Sequence, residues 1–146
     1  MTKTPRGDFA RRAPGICYYP LVVSIKETGE NVDVTLEGKV ALVSGAASGI
    51  GRAIAMTMAR RGAAIAVLDI DEGGASETCR LIGDEGGRCA AYAGDITAAG
   101  EVDAALAQAV DRFGPIDVLV NNAGLGGGGF FFEMSRDEIE RQVSVN

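Results

Sequence analysis

The fold is decided by residues 44–51, which read Ser-Gly-Ala-Ala-Ser-Gly-Ile-Gly. The apolar run Val40–Val43 directly precedes this stretch and is typical of a buried strand. After it, Ile50, Ile54 and Met58 recur every fourth residue, which predicts one apolar face of a helix. The sequence therefore predicts a glycine-rich turn that joins a strand to a helix.

The glycines of this turn suit a ligand that carries phosphate. We expect Gly45 to permit the tight turn, Gly49 to let a ligand approach the backbone, and Gly51 to let the helix pack close to the strand. Free N–H groups where the helix begins, around Ser48 and Ile50, attract a diphosphate together with the helix dipole. A purely structural glycine turn is the alternative interpretation.

An acidic residue follows the second apolar run. Ala64–Leu68 predicts another strand, and Asp69 ends it 18 residues after Gly51. A carboxylate at this spacing can accept hydrogen bonds from both hydroxyls of an adenosine ribose. No Lys or Arg lies within residues 45–51, and Ile70 follows the acid, so the pattern predicts NAD rather than NADP. The alternative is a carboxylate that starts the next helix or holds a turn.

Strands and helices alternate along the rest of the chain. Two further apolar runs, Cys89–Tyr92 and Ile116–Val120, predict a third and a fourth strand. Helical stretches of 10 to 15 residues separate the runs, which indicates βαβ units and a parallel sheet.

Caps and apolar spacing predict three more helices. We expect Asp71 and Thr97 to cap two of them, and Ser135 with Glu138 to form the capping box of the last. The residues expected on the inner faces of these helices are Ala75, Cys79, Ile82, Val102, Leu106, Ala109, Val110, Phe113, Ile139 and Val143.

From about Leu36 to Asn146 the chain resembles the short-chain dehydrogenase/reductase family. The resemblance rests on four motifs in order, with Ser44 in place of the family's usual Thr: Ser44-Gly45-(x3)-Gly49-Ile50-Gly51, Gly94-Asp95-Ile96-Thr97, Asn121-Asn122-Ala123-Gly124 and Val145-Asn146. It implies an α/β fold, a Rossmann-type doubly wound parallel sheet that is truncated here after about four strands.

The resemblance also implies a set of site residues. Asp95 would contact the adenine edge, and Asn146 falls where the family has the Asn of its catalytic tetrad. The residues expected to bind the cofactor are Gly45, Ser48, Gly49, Ile50, Gly51, Asp69, Asp95, Ile96, Asn122, Ala123 and Gly124.

Three of these assignments have structural alternatives. Asp95 could simply begin the turn into the next helix. Asn122 could hold a turn, and we expect a mixed structural and cofactor-lining role for it. Asn146 is the last residue of the chain, and we expect it to fray.

The family's catalytic Ser, Tyr and Lys lie beyond Asn146. No Tyr-x-x-x-Lys motif occurs, because none of the tyrosines, Tyr18, Tyr19 and Tyr92, has a Lys four residues later. The sequence is therefore interpreted as the N-terminal part of an NAD(P)-dependent oxidoreductase that exchanges a hydride with a secondary alcohol or ketone. We expect the parent enzyme to be a homo-oligomer and this chain to be inactive alone. The alternative is a non-catalytic nucleotide-binding or interaction module.

The start of the chain differs from the rest. We assign residues 1–36 to a poorly ordered extension and residues 37–146 to the nucleotide-binding domain. A hairpin between Leu21–Ile25 and Val32–Leu36 is the alternative for the extension. Near the other end, we interpret Gly126–Gly129 with Phe130–Phe132 as a mobile loop near the cofactor, and its aromatics as core anchors.

Composition excludes several classes of function. The chain has no His, which excludes His-ligated metal sites and Ser-His or Cys-His catalysis within it, and we expect no metal. The net charge of −6 argues against nucleic-acid binding, and no apolar run is long enough to span a membrane. Without CxxC spacing, Cys17, Cys79 and Cys89 are expected to be buried or free thiols in a reducing, cytoplasmic setting.

Overall fold

The computed structural model describes residues 35–126 and 131–146. Strands and helices alternate in the predicted order, and a short 3₁₀ helix, Phe131–Glu133, precedes the last helix. The elements are β1 (Val40–Ser44), α1 (Gly49–Arg60), β2 (Ala64–Asp69), α2 (Glu72–Asp84), β3 (Arg88–Ala93), α3 (Ala99–Phe113), β4 (Val118–Val120) and α4 (Arg136–Val145).

The four strands form one parallel sheet in the order β3-β2-β1-β4. Val43 lies opposite Val67 of β2 on one side and opposite Val120 of β4 on the other. The predicted α/β class with a Rossmann-type doubly wound sheet is confirmed. As expected, β4 pairs on one side only within the described residues, and its Leu119 is 58% exposed.

Helices cover both faces of the sheet because side chains alternate along each strand. Val43 of β1 and Val67 of β2 belong to one apolar cluster, which includes Ala55 of α1 and Ile82 of α2. On the opposite face, Leu42, Ala66 and Leu68 of the strands pack with Ala105 and Ala109 of α3.

Small residues make the closest helix contacts, which corrects two of the predicted inner positions. Ile50 of α1 is 75% exposed because Gly51 and Ala55 are the buried residues of that helix. Val110 of α3 is also exposed, since Ala105 and Ala109 face the sheet. A helix that packs through Gly and Ala lies closer to the strands, so its larger side chains are left at the edges of the contact.

Helix α4 differs from the other helices, because none of its residues is fully buried. Val143 was expected to point inward, yet it is 76% exposed. The predicted capping box is present: the Ser135 hydroxyl accepts a hydrogen bond from the Glu138 amide, and the Ser135 amide donates to the Glu138 carboxylate. Local capping therefore defines the start of α4.

The cap of α2 is as predicted, but that of α3 is not. Asp71 accepts a hydrogen bond from the Gly74 amide and begins α2. Thr97 does not cap α3, whose first flanking residue is Ala98 with no side-chain bond. The Thr97 hydroxyl instead donates to the Asp95 carboxylate at 2.8 Å. The helix begins at Ala99, so Thr97 lies one residue before the capping position and its hydroxyl is oriented toward Asp95.

The expectation of free thiols is wrong for two cysteines. Cys79 of α2 and Cys89 of β3 form a disulfide, with their Cα atoms 5.1 Å apart. The ten-residue spacing hides this contact, which arises because the chain turns at Gly86 and Gly87 and β3 then packs against α2. Cys17 lies outside the described residues.

Most of the extension also lies outside the described residues, including the alternative hairpin at Leu21–Ile25. The Leu36 amide donates to the Arg61 carbonyl at 2.7 Å, and the Leu36 side chain packs on the core. The boundary between residues 36 and 37 stays a prediction. Gly127–Phe130 lies outside the described residues too, but Phe132 is 80% exposed and is not a core anchor.

Candidate functional site

A cavity of about 490 Å³ opens at the carboxyl ends of the strands. The segments that follow β1, β2, β3 and β4 line it, together with one face of α4. All eleven residues predicted to bind the cofactor lie in its walls: Gly45, Ser48, Gly49, Ile50, Gly51, Asp69, Asp95, Ile96, Asn122, Ala123 and Gly124. Residues from four separate segments thus surround one space.

The cavity sits where the strand order reverses. The chain runs outward from β1 to β2 and β3, then returns to place β4 on the other side of β1. In open α/β sheets the connections on the two sides of such a reversal run to opposite faces of the sheet, which leaves a crevice at its carboxyl edge. Open α/β sheets bind their ligands at such a point.

The glycine turn permits close approach of two backbone segments. Gly45 has a φ of +66°, and a Cβ there would lie 2.6 Å from the Cα of Ala123. A Cβ on Gly51 would overlap the Gly45 carbonyl oxygen and approach Asn122 Nδ2 to 2.5 Å. Both positions therefore require glycine for contacts within the protein, as predicted for a tight turn and close packing.

Gly49 serves a different purpose. Its φ is +54°, and a Cβ built there meets no protein atom within 4 Å. The position is open because it faces the cavity, which it lines. Ser48, the residue before α1, forms no side-chain cap, so no side chain of its own covers the first amides of the helix. These amides and the open approach at Gly49 fit a diphosphate.

Asp69 joins the end of β2 to the glycine turn. Its Oδ2 accepts a hydrogen bond from the Ala47 amide at 2.8 Å, and its Oδ1 accepts one from the Asp71 amide at 3.0 Å. This is the structural role weighed as the alternative. Each carboxylate oxygen has two lone pairs, so acceptor capacity is left for a ligand at the cavity wall.

Asp95 is held in place by the residue two positions later. Its Oδ1 accepts hydrogen bonds from both the amide and the hydroxyl of Thr97, each at 2.8 Å. These two bonds lower the pKa of the Asp95 carboxyl below its usual value, and the positive charge of Arg141 lowers it further. Asp95 is therefore ionised at neutral pH and lines the cavity as an acceptor.

Ser44 and Asn122 connect β1 to the loop after β4. Asn122 Nδ2 donates to the carbonyls of Ser44 and Gly45, both at 3.0 Å. The Ser44 hydroxyl accepts from the amides of Asn122 and Ala123, at 3.1 and 3.2 Å, and donates to the Val120 carbonyl. Asn122 thus has the structural part of its expected mixed role, and its exposed side faces the cavity.

The expected fraying of Asn146 is wrong. Its Oδ1 accepts from the Leu125 amide at 2.9 Å, and its Nδ2 donates to the Leu125 carbonyl at 3.1 Å. This paired geometry ties the end of α4 to the loop after β4. Asn146 itself is not among the residues that line the cavity, although its neighbours Ser144 and Val145 are.

Sequence reasoning missed one wall of the cavity. Arg141, Ser144 and Val145 of α4 line it, as do several residues next to the predicted ones: Leu68, Ile70, Gly94, Thr97 and Leu125. The spacing of Arg141 and Val145, one helical turn apart, could have indicated a shared face. The capping box gave the start of α4 but not the direction in which that face points.

The described residues contain neither a membrane-spanning helix nor a cluster of metal ligands. No helix in residues 35–126 and 131–146 is long and apolar enough to cross a bilayer. In the same part of the chain, no group of three or more Asp, Glu or Cys side chains could hold a metal ion.

Comparison with known proteins identifies the family. A model of the short chain dehydrogenases matches residues 39–146. The chain belongs to the short-chain dehydrogenase family. The chain is similar to D-threitol dehydrogenase of Mycolicibacterium smegmatis, with 39% identity over 83% of this chain, and to 7alpha-hydroxysteroid dehydrogenase of Escherichia coli, with 39% identity over 78% of it.

Solved structures of short-chain dehydrogenases share the fold. The 3-ketoacyl-(acyl-carrier-protein) reductase of Brucella melitensis, complexed with NADH, superposes on 76% of this chain with a TM-score of 0.72 and 41% identity. A hydroxysteroid dehydrogenase of Escherichia coli superposes on 78% with a TM-score of 0.73 and 38% identity. The chain spans about half the length of these proteins, 45% and 48% respectively.

Proposed function

We propose that this chain forms the NAD-binding part of a short-chain dehydrogenase that exchanges a hydride with a secondary alcohol or ketone. The observation that carries the proposal is the convergence of all eleven expected cofactor residues on one cavity at the point of strand reversal. The relative from Brucella melitensis, solved with NADH, adds support because it shares the fold and 41% of its aligned residues.

Each wall of the cavity has a role in the proposal. The amides at the start of α1, beside Gly49, bind the diphosphate. Asp69 accepts the ribose hydroxyls, and Asp95 accepts a hydrogen bond from the adenine edge. Ile50 and Ile96 supply apolar surface, and the segment 122–124 lines the nicotinamide side. When bound, the nicotinamide supplies the acceptor or donor of the hydride.

The preference for NAD over NADP follows from charge. The Asp69 carboxylate would repel a 2′-phosphate by about 1–4 kcal/mol at about 4 Å, depending on the local dielectric. Arg52, the cation nearest the turn in sequence, does not line the cavity, and its side chain donates to Thr78 Oγ1 at 2.9 Å and to the Ala47 carbonyl. Its guanidinium is thus engaged within the protein.

Proton transfer requires groups that this sequence does not contain. No Tyr in residues 1–146 has a Lys four positions later, so the family's proton donor has no counterpart here. Asn146 takes the position of the tetrad Asn, where its bonds to Leu125 let it act as a positioning residue. We propose a homo-oligomeric parent enzyme that acts on a small-molecule substrate and needs neither metal, membrane nor nucleic acid.

A second candidate is a non-catalytic nucleotide-binding module, since residues of this chain form the cavity by themselves. The two functions differ in what a longer chain would do. A parent chain that contains the motif would turn over secondary alcohols, whereas a module would bind NAD with no turnover in any form.

Titration of the 146-residue chain with NAD, followed by calorimetry and by absorbance of the reduced cofactor, tests the proposal. We expect saturable binding of NAD without turnover of secondary alcohols, because losing a general acid costs about 10²–10⁴ in rate. Addition of the downstream segment with Tyr-x-x-x-Lys should restore turnover. Absence of NAD binding by a folded chain would refute the proposal.

A further inference from the structure

The cavity carries an uneven distribution of charge. Two carboxylates, Asp69 and Asp95, lie in its walls, and both face a space that is proposed to receive an anionic dinucleotide. Among the described residues that line it, Arg141 is the single cation. Among the described residues that line the cavity, Arg141 therefore supplies one positive charge against the two negative charges of Asp69 and Asp95.

Arg141 reaches the cavity from α4. It lies one turn before Val145, and both line the cavity, so they share the inward face of the helix. The bonds of Asn146 to Leu125 tie the far end of the helix to the loop after β4, and the Ser135 capping box defines its first turn. Arg141 therefore lies on the helix about one turn before the residue that is tied to this loop.

The guanidinium of Arg141 is available for a ligand. Within the described ranges it makes no hydrogen bond or ion pair, whereas other arginines are engaged: Arg60 with Glu85, Arg80 with Glu77 and Asp84, and Arg136 with Glu140. Its positive charge contributes to the lowered pKa of the Asp95 carboxyl, which also lines the cavity. An unpaired guanidinium beside a carboxylate-lined cavity offers five N–H donors to an incoming anion.

We propose that Arg141 is a cofactor-binding residue whose positive charge attracts the phosphate groups of the nucleotide. The proposal rests on the proposed nucleotide-binding function and adds a contact from α4. Without Arg141, only the amides and dipole at the start of α1 would offset the negative charges of Asp69 and Asp95. With it, the cavity pairs carboxylates that accept from ribose and adenine with a cation that binds phosphate.

The test compares ADP with adenosine, titrated into the ¹⁵N-labelled 146-residue chain and followed by amide chemical shifts. The two ligands share ribose and adenine and differ in the diphosphate. Arg141→Ala should weaken ADP binding about five-fold at low salt and leave adenosine binding unchanged. Arg141→Lys should keep most of the ADP affinity. The loss caused by Arg141→Ala should shrink when ionic strength is raised.

Arg88→Ala is the matched control. Arg88 begins β3, at the amino edge of the sheet and away from the cavity, and its substitution removes the same charge from the chain. ADP binding by Arg88→Ala should equal that of the unsubstituted chain. An equal loss in Arg88→Ala would mean that net charge is responsible and would overturn the role of Arg141.

Two other results would overturn the inference. An equal loss of adenosine and ADP binding in Arg141→Ala would place its contact on the adenosine rather than the phosphates. Unchanged ADP binding in Arg141→Ala would show that the residue makes no contribution. If the folded, unsubstituted chain binds neither ADP nor NAD, the proposed function itself fails, which distinguishes that failure from failure of the Arg141 inference.

Discussion

The Asp69 carboxylate accepts a hydrogen bond from the Ala47 amide at 2.8 Å, across the gap between β2 and the glycine turn. The bond fixes the turn against the neighbouring strand. It also holds the carboxylate at the wall of the cavity, where its charge faces any ligand. One side chain thus has both a structural and an electrostatic effect, and a substitution that keeps the oxygen but removes the charge can separate them.

Asp69→Asn is that substitution. The amide oxygen can still accept from Ala47, so the bond to the turn should persist although the bond from the Asp71 amide is lost, while repulsion of a 2′-phosphate disappears. We expect the ratio of NADP affinity to NAD affinity to rise by about ten-fold. Calorimetric titration of both cofactors measures the ratio. Asp111→Asn, on the exposed surface of α3, serves as the charge control, and an unchanged ratio in Asp69→Asn would contradict the assignment.

Ser44 should contribute to stability through its hydroxyl. The hydroxyl is buried, and it accepts from two amides of the loop after β4 and donates to Val120. Ser44→Ala leaves those amides unsatisfied and should lower the free energy of unfolding by about 1–3 kcal/mol. Urea denaturation measures the loss. Ser44→Thr, which retains the hydroxyl, should lose less, and an equal loss in both would point to packing instead.

Much of the fold could be predicted from local pattern. The apolar runs gave the four strands, and the Asp71 and Ser135 caps gave two helix starts, because each signal lies within a few residues. The contacts that hold the site together could not be predicted in the same way. Ser44 and Asn122 are 78 positions apart, and nothing near either residue indicates the other.

The errors share a physical cause. Apolar spacing marks large side chains, yet α1 and α3 contact the sheet largely through Gly51, Ala55 and Ala105, which the pattern does not emphasise. The absence of a CxxC motif likewise gave no sign of the disulfide between Cys79 and Cys89, because only the packing of α2 on β3 brings the two cysteines together. The glycine turn could be predicted because its three glycines lie within eight consecutive residues, directly between an apolar run and a helical pattern.

The disulfide should stabilise the chain measurably. Closing a loop of about ten residues restricts the unfolded chain by roughly 3 kcal/mol. Urea denaturation with and without a reductant should therefore show a lower midpoint after reduction, and Cys79→Ser should behave like the reduced chain under both conditions. Mass spectrometry of the unreduced chain should show the loss of two hydrogen atoms. Fully free thiols in that sample would contradict the bond.

The free energy of unfolding should depend on pH because of the Asp117 carboxyl. The Lys39 ammonium, which donates to its carboxylate at 2.8 Å, and then the Val40 amide lower the pKa of Asp117 below its ordinary value of 3.8. A lowered pKa in the folded state favours folding above the unfolded value, and this contribution is lost as pH falls through the folded value.

Urea denaturation of Asp117→Asn measures this contribution. The variant should be less stable by about 1 kcal/mol near pH 7. The difference from the unsubstituted chain should shrink as pH falls below about 4, since the carboxyl becomes protonated. A difference that is constant with pH would show that the charge of Asp117 is not responsible.

The central claim, that the glycine turn receives a diphosphate, is tested most directly by two glycines. Gly49 and Gly38 have φ values of +54° and +74°, and a Cβ at either meets no protein atom within 4 Å. Alanine should therefore destabilise both similarly, by about 1–2 kcal/mol. Only Gly49 lines the cavity, so only there would the methyl group occupy the space of a ligand.

The measurement is calorimetric titration of NAD into Gly49→Ala, Gly38→Ala and the unsubstituted chain, with folding checked by urea denaturation. We predict that Gly38→Ala binds NAD like the unsubstituted chain and that Gly49→Ala binds at least about ten-fold more weakly, since overlap with a bound group costs more than 1 kcal/mol. Unweakened NAD binding by Gly49→Ala would contradict the claim.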